Sequence, residues 1–462
     1  MTAVTRSAAD ISAVIKAYDV RGVFPDQFDD DFFRDLGTAF VKVVGSGDLD
    51  GRPTVVVGHD MRPSAASIVA QFAEGVTRMG VDVLVIGLCS TDGLYFASGS
   101  LNLPGAMFTA SHNPAEYNGA KFCRAGAAPV GQDTGLRQMA QLLTEPVAAA
   151  AEQSGIVTHR DLLADYAAFL HRSVDLSGIR PLKVVVDAGN GMAGLTVPAV
   201  FTGVPLTIEP MYFELDGSFP NHEANPIDPE NMRDLQARVR ETGADVGLAF
   251  DGDADRCFVV DESGEIVDPS TLTALIAARE LAAHPGAAVI YNLICSRAVP
   301  DTIAAAGGVG VRSRVGHSFI KADMAQHDAI FGGEHSGHFY FRDFWRADSG
   351  ILAAFHLLAA LGETAEGTKL STLLAPYATW HRSGEINSTV ADVSASVAAI
   401  EQRWSAAGAQ IDHLDGITVS ADDWWFNVRP SNTEPLLRLN VEARSSETLE
   451  RVVDEALSVI RA

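Results

Sequence analysis

Three times in this 462-residue chain a short β-branched run leads through a turn into helix-like sequence, and a second Val-rich run follows. The leading runs are Thr54–Val57, Lys183–Val186 and Ala287–Tyr291, and their partners are Val81–Ile86, Ala244–Phe250 and Val309–Val311. Strands this apolar must be covered on both faces, and a helix between two of them makes their pairing parallel. The pattern predicts three consecutive α/β domains with mixed, largely parallel sheets. Turn clusters follow the first strands of the first two repeats, Gly58-His59-Asp60 and Asp187-Ala188-Gly189-Asn190-Gly191. Those are carboxyl strand ends, where open α/β sheets hold their ligands. An insertion around Asp216–Asn231 stretches the second repeat.

From about Glu366 the pattern changes. A helix is expected over Val390–Trp404, strands at Ile417–Val419 and Leu436–Val441, and a last helix over Ser446–Ile460 capped by serine. That is a C-terminal α+β domain, of ordinary domain size. The expected boundaries are 1–157, 158–262, 263–368 and 369–462, the domains arranged around a central cleft. Linkers are expected near Gln153–Asp161, Asp261–Pro269 and Gly362–Ser371.

With 34 Lys+Arg against 59 Asp+Glu the net charge is −25. That disfavours nucleic acid and anionic membranes as partners, since both need clustered cations. It does not forbid a small anionic substrate, which needs only a local cationic pocket. Cys89, Cys123, Cys257 and Cys295 lack metal-site spacing and read as buried thiols in a reducing compartment. The first residues show no apolar leader, and no run approaches the ~18 apolar residues of a membrane span. A cytoplasmic protein is expected.

Four loops carry chemistry. The first, Phe108–Phe122 (FTASHNPAEYNGAKF), presents Ser111 among turn formers, with His112 next to it and Lys121 downstream. A serine hydroxyl is a weak nucleophile unless a base or metal assists it, or unless it carries a phosphoryl group already. Taken alone the stretch also fits a plain surface turn. The second, Phe250–Arg256 (FDGDADR), ends an apolar run, and an extended loop can turn Asp251, Asp253 and Asp255 to one side. Convergent carboxylates repel one another unless a divalent cation sits among them, and oxygen ligands select Mg²⁺ or Ca²⁺. An EF-hand would use Glu262 as its last ligand, but Arg256 stands where that loop needs glycine.

The third loop, Gly332–His338 (GGEHSGH), gathers Glu334, His335, Ser336 and His338 on a flexible segment suited to reading hydroxyls. A zinc site at His335 and His338 lacks a third nearby ligand. The fourth, Val428–Arg438 (VRPSNTEPLLR), offers Arg429, Ser431, Asn432 and Thr433, a phosphate-binding inventory that also fits a type I turn. No Gly-rich nucleotide signature accompanies it.

In this order, one loop per domain, the four strings resemble the α-D-phosphohexomutase family, nearest its bacterial phosphomannomutase/phosphoglucomutase branch. Lys16–Gly22 (KAYDVRG) and Val315–Lys321 (VGHSFIK) add to the match, which covers essentially the whole chain. The resemblance implies an isomerase that interconverts mannose 6-phosphate and mannose 1-phosphate, and the glucose pair as well. It implies that Ser111 is the phosphoserine and that Ser111, Asp251, Asp253 and Asp255 hold Mg²⁺. Arg256 would then steady the transferring group, with His112 in the same catalytic set. Lys121 and His338 are the implied general acid and base, and Arg21 supports them electrostatically. Glu334 and Ser336 would read sugar hydroxyls, while Arg429, Ser431, Asn432, Thr433 and Arg438 bind phosphate. Tyr18 and His317 complete the substrate contacts. The hexose monophosphate becomes a 1,6-bisphosphate, turns round, and returns its other phosphate to the serine; glucose or mannose 1,6-bisphosphate would prime the enzyme. The oligomer implied is a monomer or homodimer.

One departure stands out: where relatives carry a substrate-contacting lysine, Asn292–Arg297 (NLICSR) has Ile294, leaving Arg297 as the nearest cation. The nearest rival within the class is phosphoglucosamine mutase, whose sugar loop usually has Gln in place of His335 and whose phosphate loop reads S-G-T. A metal-assisted sugar phosphatase is the rival from another class, and it has no need of the fourth loop. A sugar-phosphate binder without catalysis would not need the intact serine and aspartates.

Overall fold

Burial on both faces selects the strands that this sequence repeats: Val55, Val56 and Val57 are wholly buried in the strand Arg52–His59, and Val184, Val185 and Val186 in Leu182–Asp187. The computed structural model describes residues 6–28, 30–145, 151–430 and 436–461. They form two compact units: Met1–Pro269 with Ser336–Leu373, and Ser270–His335 with Leu374–Ala462.

The first unit contains two complete sheets. In one, Gly105–Phe108, Arg52–His59, Asp82–Leu88 and Val157–His159 run parallel, and Tyr117–Arg124 then Val20–Val23 add an antiparallel edge. In the other, Leu206–Met211, Leu182–Asp187 and Val246–Phe250 are parallel, and Cys257–Asp261 and Ile266–Val267 follow antiparallel. The unit also holds the hairpin Phe339–Phe341 with Ala347–Asp348. Apart from His356 the helix Gly350–Gly362 is apolar all round, and every residue is buried, as such a helix must be.

In the second unit, Ala288–Asn292 pairs parallel with Val309–Ser313 and Phe331–Gly333. An antiparallel sheet runs His381–Thr389, Leu436–Ala443, Trp424–Pro430, Ile417–Ser420, Gln410–Asp412. Helices Val393–Ala406 and Ser446–Ile460 lay Ile400, Trp404, Val452, Ala456 and Ile460 into its core. The last helix begins as expected, Ser445 Oγ accepting from Thr448 N at 3.2 Å. The helix expected over 390–404 starts later, because Asp392 caps it by accepting from Ala395 N at 3.0 Å.

The parallel framework matches the sequence pattern, but three antiparallel hairpins were not visible in it: Gly105–Phe108 with Tyr117–Arg124, Cys257–Asp261 with Ile266–Val267, and Phe339–Phe341 with Ala347–Asp348. The stretch read as a linker near 153–161 holds the exposed edge strand Val157–His159, and that near 261–269 holds the turn of a hairpin. Among the described residues no helix is long and apolar enough to cross a membrane.

The first hairpin rests on aromatic packing: Phe72 lies 5.0 Å from Phe108 edge-on, 5.6 Å from Phe40 and 6.1 Å from Phe122. Phe72 is fully buried, so Phe72→Ala should cost about 3–5 kcal/mol. Denaturant unfolding should show that loss as a lower midpoint at unchanged slope; an unmoved midpoint would contradict the packing described.

Candidate active site

The strand Gly105–Phe108 delivers its chain to a loop in which Ser111 takes a left-handed backbone conformation, φ +51°. That region is costly for a residue with a Cβ and persists where surroundings impose it. Thr109 Oγ1 accepts from Ser111 N at 2.8 Å. The Ser111 hydroxyl, almost fully buried, donates to Asp251 Oδ2 at 2.9 Å. Arg256 Nη2 donates to the same hydroxyl at 3.2 Å while Arg256 Nε donates to Asp251 Oδ2 at 2.8 Å. Arg256 also donates to His112 Nδ1. Burial, with Arg256 and Arg21 adding to it, pushes the His112 pKa down to about 2, so that its ring stays neutral and accepts.

The strand Val246–Phe250 ends at the acidic loop, where Asp251, Asp253 and Asp255 are buried. Gly252 is required for the two loops to meet: a Cβ there would lie 2.4 Å from the Ser111 carbonyl oxygen. Each aspartate offers an oxygen within 4.8 Å of the others, so the three could hold a metal ion. Lys121 Nζ sits 2.6 Å from Asp253 Oδ2 and 2.5 Å from Asp255 Oδ2. Thr91 donates to Asp253 twice, Oγ1 to Oδ2 at 2.6 Å and N to O at 2.9 Å. Burial alone would raise Asp253, but Lys121 and Thr91 outweigh it and hold the carboxyl below its ordinary range. Asp251 moves the other way, raised by burial although Arg256 opposes it. The other oxygens, Oδ1 of Asp253 and of Asp255, are buried without a hydrogen-bond partner. Buried anionic oxygens without donors are costly, and a hard divalent cation is the group that fits them. Glu262 is no part of this cluster; it accepts from Ser371 N at 3.0 Å and Oγ at 2.6 Å.

His338 joins the same site from the start of the Phe339–Phe341 hairpin. Its Nδ1 donates to Asp348 Oδ2 at 3.0 Å and lies 3.9 Å from Asp255 Oδ1. Burial disfavours its charge, yet Asp255 and Asp348 outweigh it and the pKa rises. Next to Asp348, Ser349 Oγ donates to Asp92 Oδ2 at 2.7 Å; Tyr166 donates to that oxygen at 2.6 Å and Ser90 to Oδ1. Burial still pushes Asp92 up to about 6. Arg21 Nη1 donates to Asn113 Oδ1 at 2.5 Å and pairs with Asp19, beside half-buried Tyr18. The structure thus gathers Ser111, His112, Lys121, Asp251, Asp253, Asp255, Arg256 and His338 in the first unit, with Arg21 bonded to the serine loop. Ser336, also of this unit, lies in the turn just before His338. Thr91, Asp92 and Asp348 were missed, since no motif marks them: Ser90-Thr91-Asp92 and Arg346-Ala347-Asp348-Ser349 read as ordinary polar turns.

The second unit carries the other two loops. Glu334 is buried and its Oε1 accepts from Gly316 N at 3.1 Å, at the head of the helix His317–Gln326, and from Asn292 Nδ2 at 3.3 Å. His335 Nδ1 accepts from Asn292 Nδ2 at 2.9 Å, and His317 is the first residue of that helix. Arg429 and Arg438 are cross-strand partners, and both reach Glu385, at 3.5 and 3.6 Å. Each keeps a buried Nε without a hydrogen-bond partner, and like charges opposite one another call for a counter-anion. Ser431, Asn432 and Thr433 lie outside the described residues. Ile294 is fully buried with an apolar side chain, and its carbonyl accepts from Arg382 Nη2 at 2.9 Å. Arg297 does not fill the place of the lysine: its Nη1 donates to Ala421 O at 2.8 Å and its guanidinium lies 5.5 Å from the Trp380 ring centre.

Four families of domains match the chain in succession: "Phosphoglucomutase/phosphomannomutase, alpha/beta/alpha domain I" over residues 12–146, domain II over 164–264, domain III over 268–380 and "C-terminal domain" over 385–459. A protein of Xanthomonas campestris pv. campestris described as phosphohexose mutases is 40% identical over 94% of this chain and 96% of its own. A phosphomannomutase of Escherichia coli is 39% identical over 96% of this chain and 98% of its own. A crystal structure of a phosphoglucomutase/phosphomannomutase family protein from Burkholderia thailandensis superposes with TM-score 0.85 at 32% identity, covering 98% of both chains.

The donorless oxygens of Asp253 and Asp255 make a direct forecast. Titrating Mg²⁺ into metal-free protein should raise its melting temperature, with about 2.7 kcal/mol of stabilisation at a hundredfold excess over Kd. Asp255→Asn should abolish most of that gain. An unchanged melting temperature with Mg²⁺, Mn²⁺ and Ca²⁺ alike would contradict the cation site.

Proposed function

The chain belongs to the phosphoglucomutase/phosphomannomutase family, and we propose that it interconverts mannose 6-phosphate and mannose 1-phosphate, and the glucose pair as well, through a phosphorylated Ser111. The observation that carries this reading is the Ser111 hydroxyl, held 2.9 Å from Asp251 and 3.2 Å from Arg256. A hydroxyl so placed, beside cation-ready carboxylates and a guanidinium, suits carrying and releasing a phosphoryl group.

In the first half-reaction the bond from Ser111 Oγ to phosphorus breaks and one from phosphorus to the free sugar hydroxyl forms. The hydroxyl proton passes to His338 Nε2, since Nδ1 is bonded to Asp348, and the departing Ser111 oxygen takes a proton from Lys121, which Asp253 and Asp255 hold charged. Arg256, which bonds the serine oxygen, offsets the negative charge that gathers on it and on the transferring group, and Arg21 adds to the positive potential. The product is a hexose 1,6-bisphosphate. After it turns round, its other phosphate returns to Ser111, the serine hydroxyl giving its proton to Lys121 and His338 giving its own to the freed sugar oxygen. Mg²⁺ held by Asp251, Asp253, Asp255 and Ser111 would neutralise phosphoryl charge. Arg429 and Arg438, with Ser431, Asn432 and Thr433, grip the phosphate that is not reacting, so that remote binding energy orients the reacting end. Glu334 and Ser336 read sugar hydroxyls, with His317 and Tyr18 lining the substrate. Among the described residues Cys89, Cys123, Cys257 and Cys295 form no disulfide, in keeping with a cytoplasmic enzyme.

The test is an assay with Mg²⁺ and a trace of glucose 1,6-bisphosphate on mannose 1-phosphate, glucose 1-phosphate and glucosamine 1-phosphate. Both hexose phosphates should turn over, mannose at least as well as glucose, and Ser111→Ala should lose activity by about a thousandfold or more. Inorganic phosphate released at the turnover rate would mean a phosphatase, and a preference for glucosamine 1-phosphate would overturn the substrate.

A further inference from the structure

The turn Gly58-His59-Asp60 at a strand end has no part in the chemistry above, yet it leads straight into Arg62. That guanidinium is fully buried and every N–H it has is spoken for. Nε donates to Asp60 Oδ2 at 3.2 Å. Nη1 donates to the carbonyls of Pro114 and Tyr117 at 2.7 and 2.8 Å, and Nη2 to those of Ser111 and Asn113 at 3.1 and 2.7 Å. One rigid side chain therefore ties together both limbs of the loop that carries the serine.

The surroundings hold Arg62 itself in place. Asp60 accepts from the Arg62 backbone N at 3.0 Å as well, and Thr109 bonds Asp60 while accepting from Ser111 N. The Phe219 ring lies 5.3 Å from the guanidinium carbon. Gly217 packs so closely that a Cβ there would stand 2.8 Å from the Arg62 Cα. The insertion around 216–231, expected only as a stretched spacing, thus supplies a cover for this arginine.

We propose that Arg62 is a positioning residue for phosphoryl transfer: by drawing the carbonyls of Ser111, Asn113, Pro114 and Tyr117 onto one guanidinium, it holds Ser111 in its left-handed conformation and aims the hydroxyl at Asp251. It touches neither substrate nor reacting atoms. The carbonyls converge on a small volume, which requires a planar fork of donors; a lysine ammonium, a point donor on a different stem, cannot bond them together. If the loop relaxed, the oxygen would leave its line of attack, and a displacement near 1 Å costs about a hundredfold in rate. This inference rests on Ser111 being the phosphoryl carrier.

The experiment compares wild type, Arg62→Lys, the paired variant Asp60→Asn/Arg62→Met and Ser111→Ala in the mutase assay with glucose 1-phosphate. Circular dichroism and thermal melts of the same samples give the folded fraction. Arg62→Lys should lower kcat by about a hundredfold per folded molecule without raising KM. The paired variant leaves no buried unpaired charge, although four carbonyls lose their donor; it should melt below wild type and, per folded molecule, show the same loss of kcat. A kcat per folded molecule within twofold of wild type in either variant overturns the proposal, and so does a loss that appears as a raised KM with kcat intact. Should Arg62→Lys fail to fold, the paired variant decides by the same criteria. An inactive wild type, or full turnover by Ser111→Ala, would instead overturn the reading of Ser111, and is distinguishable for that reason.

Discussion

Three carboxylates withdrawn from water within a few ångströms of one another repel strongly, and the site is organised around what offsets that repulsion. Lys121 bridges Asp253 and Asp255, and Arg256 pairs with Asp251, so two cations face three anions. The Thr91 hydroxyl takes one lone pair more. What stays without a hydrogen-bond donor are the Oδ1 atoms of Asp253 and Asp255, and these mark the place for a divalent cation. The same arrangement fixes the serine, because the oxygen of Asp251 that accepts from Ser111 also accepts from Arg256. Charge balance and nucleophile geometry are one network.

That network depends on backbone that few residues could provide. The serine loop and the acidic loop touch at Gly252, where no side chain fits, and Ser111 sits at positive φ. Neither loop lies on a regular element; each is a connection at the end of a strand whose own position is set by buried valines and phenylalanines. Rigid core and strained loop divide the work, as sites on α/β sheets commonly do. The hairpin that brings His338 to Asp348 follows the same plan, with Asp348 lying across from Tyr340.

Much of this could be read from the sequence. Parallel strands such as Leu182–Asp187 and Val246–Phe250 betray themselves as continuous apolar runs, and the alternation of Asp251, Asp253 and Asp255 already implies their convergence, while only the family resemblance tied Ser111 to them. The antiparallel strands were harder. Tyr117–Arg124 contains Asn118, Gly119 and Lys121, which dilute its periodicity because the strand both pairs and serves the site. Asp92, Asp348 and Arg62 escaped for another reason: each acts through partners distant in sequence, so no local pattern records it. Arg297 misled in the opposite sense. Its charge and position suited a phosphate ligand, but it is used on Ala421 and Trp380.

The central claim is that Ser111 carries the phosphoryl group between the two ends of the sugar. Its most direct test is mass spectrometry of the peptide bearing Ser111, taken after brief incubation with glucose 1,6-bisphosphate and again after a chase with hexose monophosphate. The account predicts one phosphate on Ser111 in the first sample, and its loss in the chase matched by new bisphosphate. A phosphate that resides elsewhere, or one on Ser111 that the sugar cannot remove, would contradict it.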